Sequence, residues 1–312
     1  MFDDFAFSAF VVTWLAAGIR LAGPLLLAAL GEIYAERSGV LNVGIEGTIL
    51  LGALGAYLVT YATGSPWLGV FGAVAAGVIS NLFLAWMYVT VMANQVVVGV
   101  VFNIFALGLA SYFYRIVLGT SGNPELIPMI GSISIPGLSD LPILGPILFS
   151  QSALFYVSIV IVLIAEFVLL RTRFGLNVRA VGENPRAAAN AGISVVGIRY
   201  ICVLLSGAGA GAAGGYLVLA QIGLFRDTMV VGQGFIALAI VIFGRWRPIY
   251  AALAAFAFGA TDALQLSLQL FSFDVAPQLL LSLPYVFTVI AVSGLIGKTA
   301  QPAALMEPYR DR

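Results

Sequence analysis

Residues 151–170, QSALFYVSIVIVLIAEFVLL, and residues 200–220, YICVLLSGAGAGAAGGYLVLA, decide the fold of this chain. Each is about as long as the roughly 20 predominantly apolar residues that a helix needs to cross a bilayer core. Between them lies residues 182–193, GENPRAAANAGI, short and polar and unlike either neighbour. The two greasy segments read as membrane spans. The piece between them must then stand in water.

Composition supports the same reading along all 312 residues. The chain is 61% hydrophobic and 9% charged, with mean hydropathy +1.06, whereas a soluble domain is about 45–50% apolar and about 25% charged. There are too few charges here to form a wetted surface, so the bilayer is the solvent. The expected fold is an all-α polytopic membrane protein forming one transmembrane domain over 1–312.

Candidate spans lie near 8–30, 40–62, 67–92, 95–118, 151–170, 200–220, 229–245, 249–270 and 278–297. That gives roughly nine to ten transmembrane helices. The 40–62 and 229–245 segments carry glycines that point to broken or re-entrant helices. The N-terminus, MFDDF, lacks the basic region of a cleavable signal peptide, so the first apolar run is read as a retained span.

Charge placement orients the spans. Residues 171–199 hold Arg171, Arg173, Arg179, Arg186 and Arg199 against one acid, Glu183. Residues 119–150 hold Glu125 and Asp140, no basic residue, and the prolines Pro124, Pro128, Pro136, Pro142 and Pro146. The positive-inside rule puts 171–199 in the cytoplasm and 119–150 outside. Arg245, Arg247, Lys298, Arg310 and Arg312 then fall inside, so the C-terminus is expected in the cytoplasm. Counting back places the N-terminus outside.

Several function classes drop out. The 14 basic and 14 acidic residues cancel and form no basic run for nucleic acid. There is no His, the commonest general base, and a single Cys202, so neither a metal cluster nor a disulfide framework is expected. The stretch SGLIGKTA (293–300) imitates the end of a phosphate-binding loop, but position 292 is Val where that motif needs Gly. The chain is expected to hydrolyse no ATP and to carry no cofactor of its own.

In the polar loop, Asn184 is placed to cap a helix that Pro185 begins, Ala187, Ala188 and Ala189 propagate, and Gly192 ends. Within the spans, polar residues default to functional candidates. Glu46 lies in the glycine-flanked run Asn42–Thr48, NVGIEGT. Its alternative role is an ion pair with Arg20 or Arg37. Gly232, Gln233 and Gly234 interrupt the other half similarly, which raises an inverted repeat as an expectation. Asp262, Gln265 and Gln269 share one helical face at i, i+3 and i+7. They either line a pathway or pack against another span. Gln95 and Asn103 are candidates of the same kind, with helix-to-helix bonding as the alternative. Gly207, Gly209, Gly211, Gly214 and Gly215 read as a close-packing face, and Glu166 as a local partner of Arg171.

Five blocks, in order, carry a family resemblance: ERSGVLNVGIEGTILLGALGAY (36–57), NQVVVGVVFNIFALGLASY (94–112), RAVGENPRAAANAGISVVGIR (179–199), GQGFIALAIVIFGRWRP (232–248) and FGATDALQLSLQ (258–269). They resemble the transmembrane permease subunits of bacterial ABC importers of the simple-sugar and branched-chain amino acid permease superfamily, most closely the nucleoside-uptake branch. The resemblance implies a type II importer-like fold in the bacterial cytoplasmic (inner) membrane. It also implies pairing with a second homologous permease, delivery of substrate by an extracytoplasmic substrate-binding lipoprotein, and ATP bound by a separate ATP-binding cassette ATPase subunit. Glu183, Asn184, Pro185, Arg186, Ala187, Ala188, Ala189, Asn190, Ala191, Gly192, Ile193 and Ser194 would form the coupling helix docked on that ATPase. Asn42, Glu46, Gln95, Asn103, Gln233, Asp262, Gln265 and Gln269 would be the pathway candidates. Competing expectations are a sugar or branched-chain amino acid permease and, from another class, an ion-coupled carrier, which would leave the polar loop without a use.

Overall fold

The computed structural model describes residues 4–119, 125–230, 232–270, 286 and 301–310. Eleven helices and one strand pair occur among them: α1 Asp4–Arg37, α2 Ile45–Thr63, α3 Pro66–Ala85, α4 Gln95–Leu118, β1 Ser132–Ser134, α5 Leu144–Leu148, β2 Ser150–Ser152, α6 Ala153–Arg171, α7 Arg173–Glu183, α8 Pro185–Asn190, α9 Val195–Tyr216, α10 Gln233–Phe243 and α11 Pro248–Leu270. α3 and α9 each run on into a π-helical turn, Trp86–Thr90 and Leu217–Ile222. The strands pair antiparallel, Ser132 opposite Ser152. The protein is an all-α polytopic membrane protein.

Seven helices among the described residues are long and apolar enough to span a membrane. The first reaches past the expected 8–30 to Arg37, because Glu32 and Glu36 find buried partners instead of a wet loop. The second starts only at Ile45, after a turn. The 229–245 segment is a half-helix: α10 has 11 residues, about 16 Å at 1.5 Å per residue, half of the roughly 30 Å hydrocarbon core. The 278–297 candidate lies outside the described residues.

α9 is the axis on which the other helices pack. A Cβ on Gly209 would lie 2.6 Å from the Leu27 carbonyl of α1, and one on Gly211 2.3 Å from the Ala73 carbonyl of α3. On Gly214 it would lie 2.1 Å from the Ile49 carbonyl of α2. Three helices therefore meet α9 at backbone distance, on faces that only hydrogen can fill. Lipid tails are as apolar as Leu, so helix association in a membrane relies on such close packing.

The ends of the bundle differ. At one end, Tyr57 donates to the Glu125 carbonyl at 2.9 Å and Ile127 and Ile130 bond back to Gly223 and Leu219. That end carries the segment 125–152. At the other end gather the C-terminus of α1, the short helices α7 and α8, the turn 244–247 and residues 301–310. There Arg37 donates to the Trp246 carbonyl at 3.1 Å, and Glu36 accepts from the Trp246 indole at 2.5 Å. Glu36 and Arg37, at the end of α1, thus hold the turn that follows α10.

The packing predicts which glycines are indispensable. Gly214→Val forces atoms into the α2 backbone, and overpacking of this kind costs about 1–3 kcal/mol. Its unfolding midpoint in detergent should fall well below the parent's. Gly108→Ala, with nothing within 4 Å of the added carbon, should leave the midpoint unchanged; equal effects of the two would contradict the role given to α9.

Candidate functional site

The turn between α1 and α2 is built from buried side chains. Asn42 N–H donates to Glu32 Oε1 at 2.8 Å, and Asn42 Nδ2 donates to Ser206 Oγ at 3.0 Å. Ser206 Oγ in turn donates to Glu32 Oε2 at 2.7 Å. Gln95 Oε1 accepts from Leu41 N–H at 2.8 Å. A turn inside a bilayer has no water for its backbone groups, so side chains must supply the partners. Gln95, expected along a pathway, does this for Leu41, while Asn42, expected there too, has its own N–H paired by Glu32 and gives its side chain to Ser206.

Asn103 does likewise from α4. Its Oδ1 accepts from Gly47 N–H at 2.8 Å, one of the unpaired donors that open α2, and its Nδ2 donates to the Val43 carbonyl at 3.0 Å. Farther in, Thr48 Oγ1 donates to Asn81 Oδ1 at 2.8 Å, while Asn81 Nδ2 donates to the Val203 carbonyl at 2.9 Å.

Glu46, in the first turn of α2, reaches the start of α10. Its Oε1 accepts from Gly232 N–H at 3.1 Å, and a Cβ on Gly234 would lie 2.7 Å from Glu46 Cα. Gly232 caps α10 at φ +81°, a conformation that glycine adopts without strain. The first turns of two helices are thus joined through one carboxylate. Neither Arg20 nor Arg37 is its partner: Arg37 is bonded to the 245–246 carbonyls. Among the described residues Glu46 Oε2 is buried with no hydrogen-bond partner.

Beside this junction opens a cavity of about 210 Å³, lined by Glu46, Gly47, Leu50, Asn103, Ile104, Leu107, Asp227 and Val230. Small-molecule pockets measure about 300–1,000 Å³, so this space is smaller than most; Glu46, Asn103 and Asp227 share its lining with Leu50, Ile104, Leu107 and Val230. Asp227, not among the candidates named from sequence, accepts from Ser111 Oγ at 3.0 Å. A larger space of about 800 Å³ between α3 and α4 has Ser80 as its one polar side chain and offers nothing to a polar solute.

The remaining candidates lie elsewhere. Gln233 opens α10 next to the junction, and its side chain is half-buried. Asp262 is half-buried, Gln265 buried and Gln269 exposed on α11, and none of the three lines the polar cavity. Glu166 is no partner of Arg171. It pairs with Arg247 at 2.5 Å and also accepts from Ile249 N–H at 3.4 Å, because the 244–247 turn delivers Arg247 to it.

The polar loop forms as two helices. α7 precedes the expected one. Asn184 Oδ1 caps α8 by accepting from Ala187 N–H at 3.0 Å, Pro185 is its first residue, and Gly192 turns away at φ +81°. Ser194 caps α9 through Gly197 N–H at 3.2 Å. Ala188 is buried, while Glu183, Asn184, Arg186, Ala187 and Asn190 are exposed.

A half-helix that starts against α2, a small cavity beside their junction and a capped polar helix at one end are the features to be explained. Residues 14–293 match the family described as branched-chain amino acid transport system / permease component. The chain belongs to this permease family. Its relatives include the guanosine ABC transporter permease protein NupQ of Bacillus subtilis, 38% identical over 94% of this chain and 95% of that one. The nucleoside ABC transporter permease protein NupC of Lactococcus lactis is 36% identical over 90% and 91%. The putative glucose ABC transporter permease protein TsgC13 of Haloferax volcanii is 38% identical over 77% and 72%. No solved structure matches. As a permease component, the chain is a transport protein rather than an enzyme, and it crosses its membrane several times.

Asn103 offers a direct test of the interrupted helix. Asn103→Leu removes both bonds that join α4 to the start of α2, each worth about 0.6–2 kcal/mol in a membrane. The permease should unfold in detergent with a stability lower by roughly 1–3 kcal/mol. An unchanged midpoint would show that the α2 opening stands without it.

Proposed function

We propose that this permease carries a nucleoside or a related purine or pyrimidine compound into the cytoplasm, driven by separate ATPase subunits that dock at the α7–α8 end. The observation that carries the reading is the junction of Glu46 with the start of α10. Half-helix N-termini recur at the substrate sites of membrane transporters, and α10 is a half-helix whose start meets Glu46 beside a cavity. A nucleoside is neutral and rich in donors, and carboxylate oxygens of Glu46 and Asp227 can accept from its hydroxyl and amino groups. The guanosine and nucleoside permeases among the relatives favour this substrate.

A sugar is the second reading, favoured by the glucose permease relative and served by the same acceptors. Uptake by the assembled transporter separates the two: labelled guanosine should enter, and excess hexose should not compete. Competition by hexose with none by nucleosides would reverse the assignment.

In this picture α8 is the coupling helix, lying on the cytoplasmic side, and the chain works with a second permease and an external substrate-binding protein. ATP is bound by the ATPase partner. Two experiments test the arrangement. In a Cys202→Ser background, Ser132→Cys should be labelled in intact cells and Ala187→Cys only after the membrane is opened; labelling from one side would overturn the orientation. Ala188→Pro removes the N–H that bonds to the Asn184 carbonyl at 3.0 Å, a loss of about 3 kcal/mol or more inside a helix. Transport should collapse, with the ATPase released or hydrolysing ATP without uptake. Normal transport with the ATPase attached would remove the coupling role from α8.

A further inference from the structure

We infer that the segment 302–310 forms a second wall of the surface that receives the ATPase subunit, and that Arg199 holds this wall against α8. The inference rests on reading Glu183–Ser194 as the coupling loop, and extends it to residues far away in sequence.

The geometry begins with backbone bonds. Ala304 is buried, and its N–H donates to the Gly182 carbonyl at 2.9 Å, two residues before the Asn184 cap. Met306 N–H donates to the Gly39 carbonyl at 3.0 Å. Arg199, 2% exposed, donates from Nε to the Ser38 carbonyl at 3.2 Å and from Nη1 to the Glu307 carbonyl at 2.8 Å. One guanidinium therefore ties α9, the α1–α2 turn and the 302–310 segment together at the foot of α8. A Cβ on Gly182 would lie 2.0 Å from the Arg37 carbonyl, so the end of α7 is seated just as tightly.

A groove of about 510 Å³ runs between the two walls, bordered by Glu183 and Arg186 on one side and Glu307, Tyr309 and Arg310 on the other. Both walls carry both signs of charge, which suits a wetted protein surface and not lipid. Size supports the same occupant. α8 is six residues long and buries Ala188, whereas a stable interface covers about 800 Å² on each partner. The helix alone offers too little. The adjoining wall extends it on the same end of the bundle, beyond the apolar spans, where a soluble subunit docks and a second permease does not.

The test uses the complete transporter, with its ATPase and partner permease, in a Cys202→Ser background. Arg186→Cys and Arg310→Cys, each treated with a short bis-maleimide, should both cross-link to the ATPase subunit. Arg199→Gln should weaken cross-linking from Arg310→Cys and spare that from Arg186→Cys, a split that general misfolding would not produce. Arg310→Glu leaves the backbone clasp intact and should retain ATPase at least about tenfold less well, at unchanged membrane abundance. If Arg186→Cys cross-links and Arg310→Cys does not, the second wall is refuted and the coupling loop stands. If neither does, the coupling reading fails and this inference with it.

Discussion

The backbone-to-backbone contact of α9 with α1, α2 and α3 is the constraint on which the structure depends. Gly209, Gly211 and Gly214 present three faces of one helix to three neighbours, and a methyl group on any of them would overlap a carbonyl oxygen. Close approach does two things. It gathers dispersion contacts that a lipid-facing helix lacks. It also brings polar groups of different helices within bonding distance, so Ser206 of α9 can join Glu32 of α1 to Asn42 of the turn.

Those polar bonds explain how a chain this apolar tolerates interrupted helices. Each interruption frees backbone groups that lipid cannot satisfy, and leaving one unpaired costs more than a new hydrogen bond returns. Here every break has its assigned side chain: Gln95 for Leu41, Asn103 for Gly47 and Val43, Glu46 for Gly232. The third pairing differs from the others, because the Glu46 carboxylate keeps its second oxygen buried without a hydrogen-bond partner among the described residues.

The opposite demand operates at the α7–α8 end, where exposed polar groups must be held rigidly. Capping by Asn184, burial of Ala188 and the Gly182–Ala304 bond fix a helix too short to be stable alone in water. Glu36, Arg37 and Trp246 bind the turn after α10 to the end of α1. α10 thus runs from the Glu46 junction to this end.

Composition and local pattern alone determined the membrane class, most spans, the two interruptions and the capped polar helix, since each depends on hydropathy or on residues within one turn of each other. Asn184, Pro185 and Gly192 state a helix's beginning and end locally. Partners could not be read this way. Asn42, Gln95 and Asn103 look like pathway residues by polarity; folding ties the Gln95 and Asn103 side chains to backbone groups of other elements and that of Asn42 to Ser206, while Asn103 also lines the cavity beside Glu46. Glu166 stands five residues from Arg171 in the chain, but bonds Arg247, which arrives only when the 244–247 turn is placed. Asp227 and Arg199 acquired meaning for the same reason. A polar side chain in a membrane is satisfied by whatever the packing of α9 brings within about 3 Å, and that distance belongs to the tertiary structure.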